Sequence, residues 1–309
     1  MKTSQSEEEL ARQWLQSALN GDLAAAWSTS DLISQKRIDY SDRERWCRSL
    51  WDGTPIKDRH VLVRCWRGLG DAIHFIRFAP LVREKALSLA VEAPSNLLPL
   101  LGTVPGIDDL LELDSEKLPD KNYVEIESTE LPYVFRTTLD SIPSTVPYIH
   151  VPKLALSSSP KIINIGLCWC GGTFDSRRSM NLSELEPLAV LPGVHFFQLQ
   201  RGPALAEAAK SRIPFLNLSD RSMCLATTAS LINSLDIIVS VDTMIGHLAG
   251  ALGKRTYLLL HTQADWRWFR DRGDSPWYPT MRLLRQSSAG DWRSVVNRLV
   301  ALLIPNMVC

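Results

Sequence analysis

The sequence predicts an α/β protein of two Rossmann-like domains facing across a cleft, preceded by a short helical hairpin. Three observations carry that prediction. Short apolar runs of strand length alternate with segments of helical periodicity, twice over, as in parallel sheets covered on both faces. A proline- and serine-rich stretch, "SIPSTVPYIHVPKLALSSSPK" at 141–161, separates the two series. Each series also carries a polar turn after a strand, "RGLGD" in the first and "VDTMIGH" in the second, where ligands bind in such sheets. At 309 residues the chain can hold two domains; their expected limits are 1–50 for the hairpin, 51–155 and 156–309.

In chain order, residues 7–37 place apolar positions at helical spacing on both sides of "NGD", the mark of a helical hairpin. "RHVLVRCW" reads as a strand, "RGLGD" as a glycine turn and "AIHFIRFAPLVREKA" as an amphipathic helix. "LSLAVEA" is then a strand, "PSNLLPLLGTV" a helix, "DDLLELD" and "NYVEIE" strands and "PYVFRTTL" a helical segment. In the second half the strands are "IINIGLCW", "VHFFQLQ", "IPFLNL", "DIIVSV" and "RTYLLL". The helices between them are "LSELEPLAV", "ALAEAAKS", "TTASLINSL" and "MIGHLAGAL".

Composition narrows the partners. Lys plus Arg and Asp plus Glu balance at 34 each, so no basic surface calls for a nucleic-acid backbone, and any bound anion must be held locally. The start "MKTSQSEEELARQW" is polar, and no 18-residue apolar run occurs. A protein without a transmembrane segment is expected, in the cytoplasm or peripheral to the inner membrane. The six cysteines are scattered; the one close pair, "CWC", has strand spacing, and reduced, mostly buried thiols are expected.

The chemistry concentrates in four stretches. In "VSVDTMIGH" the strand delivers Asp242 and Thr243 to a helix start, whose first N–H groups lack partners and whose dipole end is positive. Asp or Thr there is also an ordinary cap worth about 1 kcal/mol. His247, one turn on, shares the face toward the mouth and could hydrogen-bond a phosphate, although a helical His is more often structural. "RGLGDAIH" opens like a dinucleotide fingerprint, but Ile73 stands where the third glycine belongs. Gly68 and Gly70 instead place Asp71 at the end of the first helix, where a carboxylate can accept a proton from a sugar hydroxyl or simply cap. "CGGTFDSRRSMN" carries Arg177 and Arg178 after a buried strand, and arginine pairs bidentately with phosphate. "QADWRWFRDRGDSPWYP" packs three Trp, three Arg and three Asp into one segment, as a lid over a ligand or a clamp between domains.

Together "GLGDAIHFIRFAPLV", "IGLCWCGG…RRSMNLSELEPLA", "VHFFQLQRGP" and "SVDTMIGHLAGALGK…DWRWFRDRGDSPWYPTMRLLRQ" resemble glycosyltransferase family 9, which includes the lipopolysaccharide heptosyltransferases. The likeness is closest to the family-9-like domain that follows tetratricopeptide repeats in bacterial proteins. It runs from about Trp51 to Leu303, and the hairpin before it looks like a remnant of such a repeat. The resemblance implies a GT-B fold and an inverting, metal-independent transfer from a nucleotide-sugar, with neither metal nor cofactor. Asp71 matches the general base. Asp242, Thr243 and His247 match the turn that contacts donor sugar and diphosphate, and Arg178, with Arg177 in reserve, matches a phosphate-contacting basic residue. Met244 and Gln200 join the donor side, and Asp265 and Trp266 are candidate lid or donor contacts. Met244 stands where the family has a small residue, Arg178 where the heptosyltransferases have lysine, and the segment around Trp266 does not match them. The donor is therefore open between ADP-heptose and other nucleotide-hexoses, and the acceptor between a glycan, a lipid-linked saccharide and a protein. A non-catalytic scaffold or nucleotide-binding module and a nucleotide-sugar epimerase are the alternatives; a dehydrogenase ranks last.

Overall fold

The computed structural model describes residues 6–37, 51, 53–113, 122–156, 162–216 and 224–304. The chain forms two compact units, one of Met1–Ser144 with Asp265–Arg272 and one of Thr145–Ala264 with Gly273–Cys309.

The first unit begins with helices α1 (Glu7–Leu19) and α2 (Leu23–Arg37). Ser6 caps α1 by accepting from the Glu9 amide at 3.2 Å, and Gly21 turns the chain at φ 81°, a left-handed conformation open to glycine. The hairpin is thus present as expected, and it buries Leu10, Ala18, Leu23, Ala26 and Trp27. Strands β1 (His60–Arg64), β2 (Ser88–Ala93), β3 (Asp109–Glu112) and β4 (Tyr123–Glu127) form a parallel sheet of order β3-β2-β1-β4. Between β1 and β2 the expected single helix is α3 (Leu69–Phe75), a 3₁₀ turn at Ile76–Phe78 and α4 (Ala79–Lys85). Pro80, in the first turn of α4, supplies no N–H to a continuing ladder, so the chain tightens and restarts. The helical segments expected around 94–104 and 132–139 shrink to single turns, α5 (Leu98–Leu101) and α6 (Leu131–Val134).

In the second unit, β5 (Ile163–Cys168) and β6 (Val194–Gln198) are followed by α7 (Leu225–Ser234), β7 (Ile237–Val241), α8 (Met244–Ala251), β8 (Thr256–Leu260), β9 (Met281–Arg285) and α9 (Trp292–Leu303). The parallel order is β6-β5-β7-β8-β9. Phe215 bridges Phe196 in parallel, which is the described part of the strand expected at 213–218; residues 217 and 218 lie outside the described residues. Counting that bridge, the unit has the 3-2-1-4-5-6 order of a doubly wound sheet. The helix expected at 182–190 runs as a 3₁₀ helix, Leu182–Val190, because Pro187 inside it interrupts α-type bonding. The sequence reading did not single out β9 and α9.

The proline-rich stretch expected as a linker is tied down where it is described. Tyr148 donates its amide to the Ala251 carbonyl at 3.0 Å, Asn233 donates to the Val151 carbonyl at 2.8 Å, and the Leu154 amide donates to Ser234 at 2.6 Å. Residues 157–161 lie outside the described residues.

These topologies fix where chemistry can occur. In each unit the strand order reverses beside the first strand, between β1 and β4 and between β5 and β7. The loops at the carboxyl ends of those strands diverge there and leave a crevice. All the sequence motifs with polar character except the tryptophan-rich segment lie on these loops.

Candidate active site

The second unit's crevice is built from the end of β7. Its five residues are buried, so the strand is rigid up to Asp242 and Thr243. Thr243 is extended (φ −144°, ψ 173°) and starts α8, its carbonyl accepting from the His247 amide at 3.2 Å. Its hydroxyl makes no capping bond. It turns back instead, 3.1 Å from Ser240 Oγ and 3.7 Å from the buried Cys168 thiol. The first-turn N–H groups of α8 therefore lack the usual Thr cap, and the positive end of the helix is offered outward.

His247 is buried one turn along. Its Nδ1 lies 3.1 Å from the Tyr278 hydroxyl and its Nε2 3.8 Å from Asp242 Oδ1, so the ring is gripped from both sides. Tyr148 donates in turn to the Tyr278 hydroxyl at 3.5 Å. Met244 is half-buried at the first helical position.

The loop after β5 lies against this turn. A Cβ on Gly171 would sit 3.5 Å from Thr243 Cγ2 and 3.8 Å from the Asp242 carbonyl oxygen. Gln200, buried, fastens the base of the loop: its Oε1 accepts from the amides of Trp169 at 3.1 Å and Cys170 at 2.9 Å, and its Nε2 donates to the carbonyls of Cys170 and Arg201. Its amide is thus occupied by backbone. Ser179 accepts from the Gly171 amide at 3.0 Å and closes the other side.

The two candidate arginines of this loop differ. Arg177 is held by Asp175 through Nε and Nη2, both at 2.8 Å, and donates to Gln263. That pairing holds the Asp175 carboxyl down at about 2. His261, buried at the end of β8, has Nε2 3.8 Å from Asp175; desolvation by burial lowers its proton affinity, with Asp175 opposing and the arginine charges adding to it. The guanidinium of Arg178 has no hydrogen-bond or ion-pair partner among the described residues, and its Nε is buried. Arg178 is therefore the cation left for a ligand. Asp175 and His261 were not singled out from the sequence; an acid two residues before an arginine was the available signal.

In the first unit, Gly68 is the N-cap of α3 and Gly70 lies in its first turn with Asp71. A Cβ at Gly68 would come within 3.3 Å of Asp71 Oδ2, so glycine leaves that oxygen uncrowded. Asp71 Oδ1 accepts from Arg267 Nη2 at 2.5 Å. The partner comes from the Asp265–Arg272 segment, which folds with this unit. Asp265 caps its own turn, accepting from the Arg267 amide at 3.0 Å, and pairs with Arg267 Nη1 at 2.8 Å. Trp266 packs edge-on against Trp14 and Trp27 of the hairpin, with ring centroids 5.5 and 6.2 Å away. Sequence reasoning named Asp265 and Trp266 but passed over Arg267, the next residue along.

No protein-family model matches the chain. FlbA of Caulobacter vibrioides is 24% identical over 292 residues, covering 82% of this chain and 48% of FlbA; the chain spans about half the length of that relative. Among solved structures, the family 9 glycosyl transferase of Veillonella parvula aligns over 84% of this chain and 99% of its own, with TM-score 0.57 and 10% identity. Escherichia coli heptosyltransferase WaaC with ADP-2-deoxy-2-fluoro heptose aligns over 80% of this chain and all of its own, with TM-score 0.53 and 12% identity. The iron-containing dodecameric glycosyltransferase TibC of enterotoxigenic E. coli covers 82% of this chain and 76% of its own, with TM-score 0.50 and 13% identity. At these identities the likeness is one of fold: the chain has the GT-B fold of the family 9 heptosyltransferases, as its motifs led us to expect.

Proposed function

We propose that this protein is an inverting, metal-independent glycosyltransferase, its second unit holding a nucleotide-sugar and its first unit supplying the base. One observation carries the reading. The start of α8, without a side-chain cap, faces a loop whose Arg178 guanidinium has no partner among the described residues, and two positive groups so arranged suit a diphosphate. A neighbour of the same fold was solved with ADP-2-deoxy-2-fluoro heptose, which makes ADP-heptose the first donor to try.

In this reading Asp71 takes the proton of an acceptor hydroxyl, whose oxygen pair forms the bond to the anomeric carbon with inversion. The bond from that carbon to the diphosphate oxygen breaks, and its electrons leave with the diphosphate. The α8 N–H groups and Arg178 stabilise that growing charge, while His247, fixed by Tyr278 and Asp242, lies beside it. Met244 narrows the approach to the donor, and the acceptor is a glycan, a lipid-linked saccharide or a protein. A nucleotide-sugar donor suits a reaction in the cytoplasm, and no described helix is long and apolar enough to cross a membrane. We further read the hairpin as a remnant of a tetratricopeptide repeat.

A second reading, a non-catalytic module of the same fold, is favoured by one fact: Arg267 already occupies Asp71 Oδ1.

Thermal-shift measurements against nucleoside diphosphates and nucleotide-sugars, with magnesium, iron or EDTA, test the donor site. A ligand bound by the folded state alone raises the melting temperature. The shift is expected to survive EDTA, to fall in Arg178→Ala by an amount matching a roughly ten- to hundredfold weaker affinity, and to persist in Arg177→Ala. Equal losses in both variants, or no shift with any nucleotide, would remove the support for this site.

A further inference from the structure

We propose that Arg267 is a positioning residue for Asp71, holding one carboxylate oxygen so that the other receives the acceptor's proton. The inference rests on the glycosyltransferase reading above and assigns a role within it to a segment inserted between β8 and β9.

The geometry divides the carboxylate. Oδ1 accepts from Arg267 Nη2 at 2.5 Å. Oδ2 makes no hydrogen bond among the described residues and faces Gly68, where an added Cβ would come within 3.3 Å. One oxygen is fixed and the other is kept clear. The guanidinium is itself constrained on several sides: Asp265 takes Nη1 at 2.8 Å, while the rings of Phe75 and Trp266 lie 4.8 and 5.6 Å from Cζ. Phe75 stands four residues beyond Asp71, on the same face of α3. The Arg267 side chain is 12% exposed against 28% for Asp71, so the buried member anchors the more exposed one.

Arg267 divides its guanidinium between two carboxylates, Asp71 and Asp265, rather than pairing with Asp71 alone. A guanidinium serves better than an ammonium, because its planar fork reaches both carboxylates at once. In the transfer step the hydroxyl proton goes to Oδ2, the alkoxide pair bonds to the anomeric carbon, and the diphosphate departs with the broken bond's electrons. Arg267 keeps its own proton throughout. The contact that favours a non-catalytic module thereby becomes part of the catalytic apparatus.

The test uses the full chain with Arg267→Gln, Arg267→Lys, Asp71→Asn and the Arg267→Gln/Asp71→Asn double variant. Turnover is read as nucleoside diphosphate released from ADP-heptose and from each nucleotide-sugar that raises the melting temperature, with water or an added glycan hydroxyl taking the glycosyl group. Arg267→Gln is expected to lower kcat by about ten- to hundredfold with donor KM unchanged. Arg267→Lys should recover part of that loss, as should millimolar guanidinium added to Arg267→Gln. On the Asp71→Asn background the Arg267 change should cost nothing further, since the two act as one unit.

Unchanged kcat in Arg267→Gln, or an equal loss with and without Asp71, would overturn the positioning role while leaving the transferase reading intact. Donor binding without release in the unmodified protein would overturn that reading and this role with it. Should Arg267→Gln fail to fold, Arg267→Lys carries the comparison, and its kcat equal to that of the unmodified protein with no coupling to Asp71 would count against the proposal.

Discussion

Cys65 and Cys168 sit at the carboxyl ends of β1 and β5, beside the two crevices, and both are buried. Burial pushes Cys65 up to about 12, although a bond from Ser128 works against it, and Cys168 up to about 11 despite the Thr243 and Ser240 hydroxyls. Cys224 is exposed, and hydrogen bonds from Thr227 at the start of α7 lower its proton affinity. The thiolate is the nucleophile, so iodoacetamide at about pH 8 should modify Cys224 well before Cys65 and Cys168, as mass spectrometry would read. Equal rates in the folded protein would refute this assignment. The sign for stability follows. A folded-state value raised above 9.0 gives stabilisation that is present below pH 9.0 and lost as pH rises through about 11 to 12. The burial of Cys65 and Cys168 was legible in their apolar context, whereas the exposure of Cys224 was not expected. What separates Arg178 from Arg177 was legible only in part: Asp175, two residues before Arg177, was a local signal, whereas Gln263 lies 86 residues away.

Helix α8 approaches its neighbours closely because glycine stands at two positions one turn apart. A Cβ on Gly246 would lie 2.7 Å from Leu258 Cδ1 of β8, and one on Gly250 would press into the ring of Tyr278. Tyr278 is the residue that holds His247, so the spacing Gly-x-x-x-Gly sets the height of the helix over the sheet and the position of its histidine together. Alanine gains about 0.5–1 kcal/mol of helix propensity over glycine, whereas overpacking a rigid core costs about 1–3 kcal/mol. The buried aromatic ring has little room to yield, so the second effect wins. Gly250→Ala is expected to lower the melting temperature and weaken nucleotide binding, while Gly172→Ala, whose Cβ would meet nothing within 4 Å, should leave stability unchanged. A Gly250→Ala protein as stable as the parent would show that Tyr278 can move aside. At this scale the strand–turn–helix of 237–251 was legible because its buried run and its glycines are local. β9 and α9 escaped, since β9 mixes Arg282 and Arg285 into its apolar residues and the segment before it reads as loop. The conversion of 182–190 to a 3₁₀ helix was foreshadowed by Pro187.

Across the whole chain, sequence order and spatial grouping part company at residues 265–272, which follow β8 yet fold with the first unit. Periodicity could not reveal this, because the tryptophans and arginines of the segment are compatible with a lid, a clamp or a core and only their partners decide. Arg267 pairs with Asp71, and the remaining named partners are in the hairpin. Trp266 meets Trp14 and Trp27 edge-on, and the Arg270 amide donates to the Leu19 carbonyl at 2.8 Å. The hairpin has a second attachment, in which Arg136 pairs with Asp31 at 2.7 Å and Trp27 donates to the Thr137 carbonyl at 2.7 Å. The Arg136–Asp31 pair is more than a third exposed on both sides and contributes little, which leaves the aromatic cluster as the stronger tie. Each edge-on aromatic pair adds about 0.5–1.5 kcal/mol beyond the area it buries, so losing two at once should loosen the hairpin by about 1–3 kcal/mol. Trp266→Ala is therefore expected to speed amide exchange in α1 and α2 by roughly ten- to hundredfold while leaving β7 and β8 protected. Unaltered exchange in α1 and α2 would mean that the attachment through Thr137 and Asp31 holds the hairpin by itself. Faster exchange there together with lower kcat would show that the hairpin supports Arg267, the next residue along, and through it the orientation of Asp71.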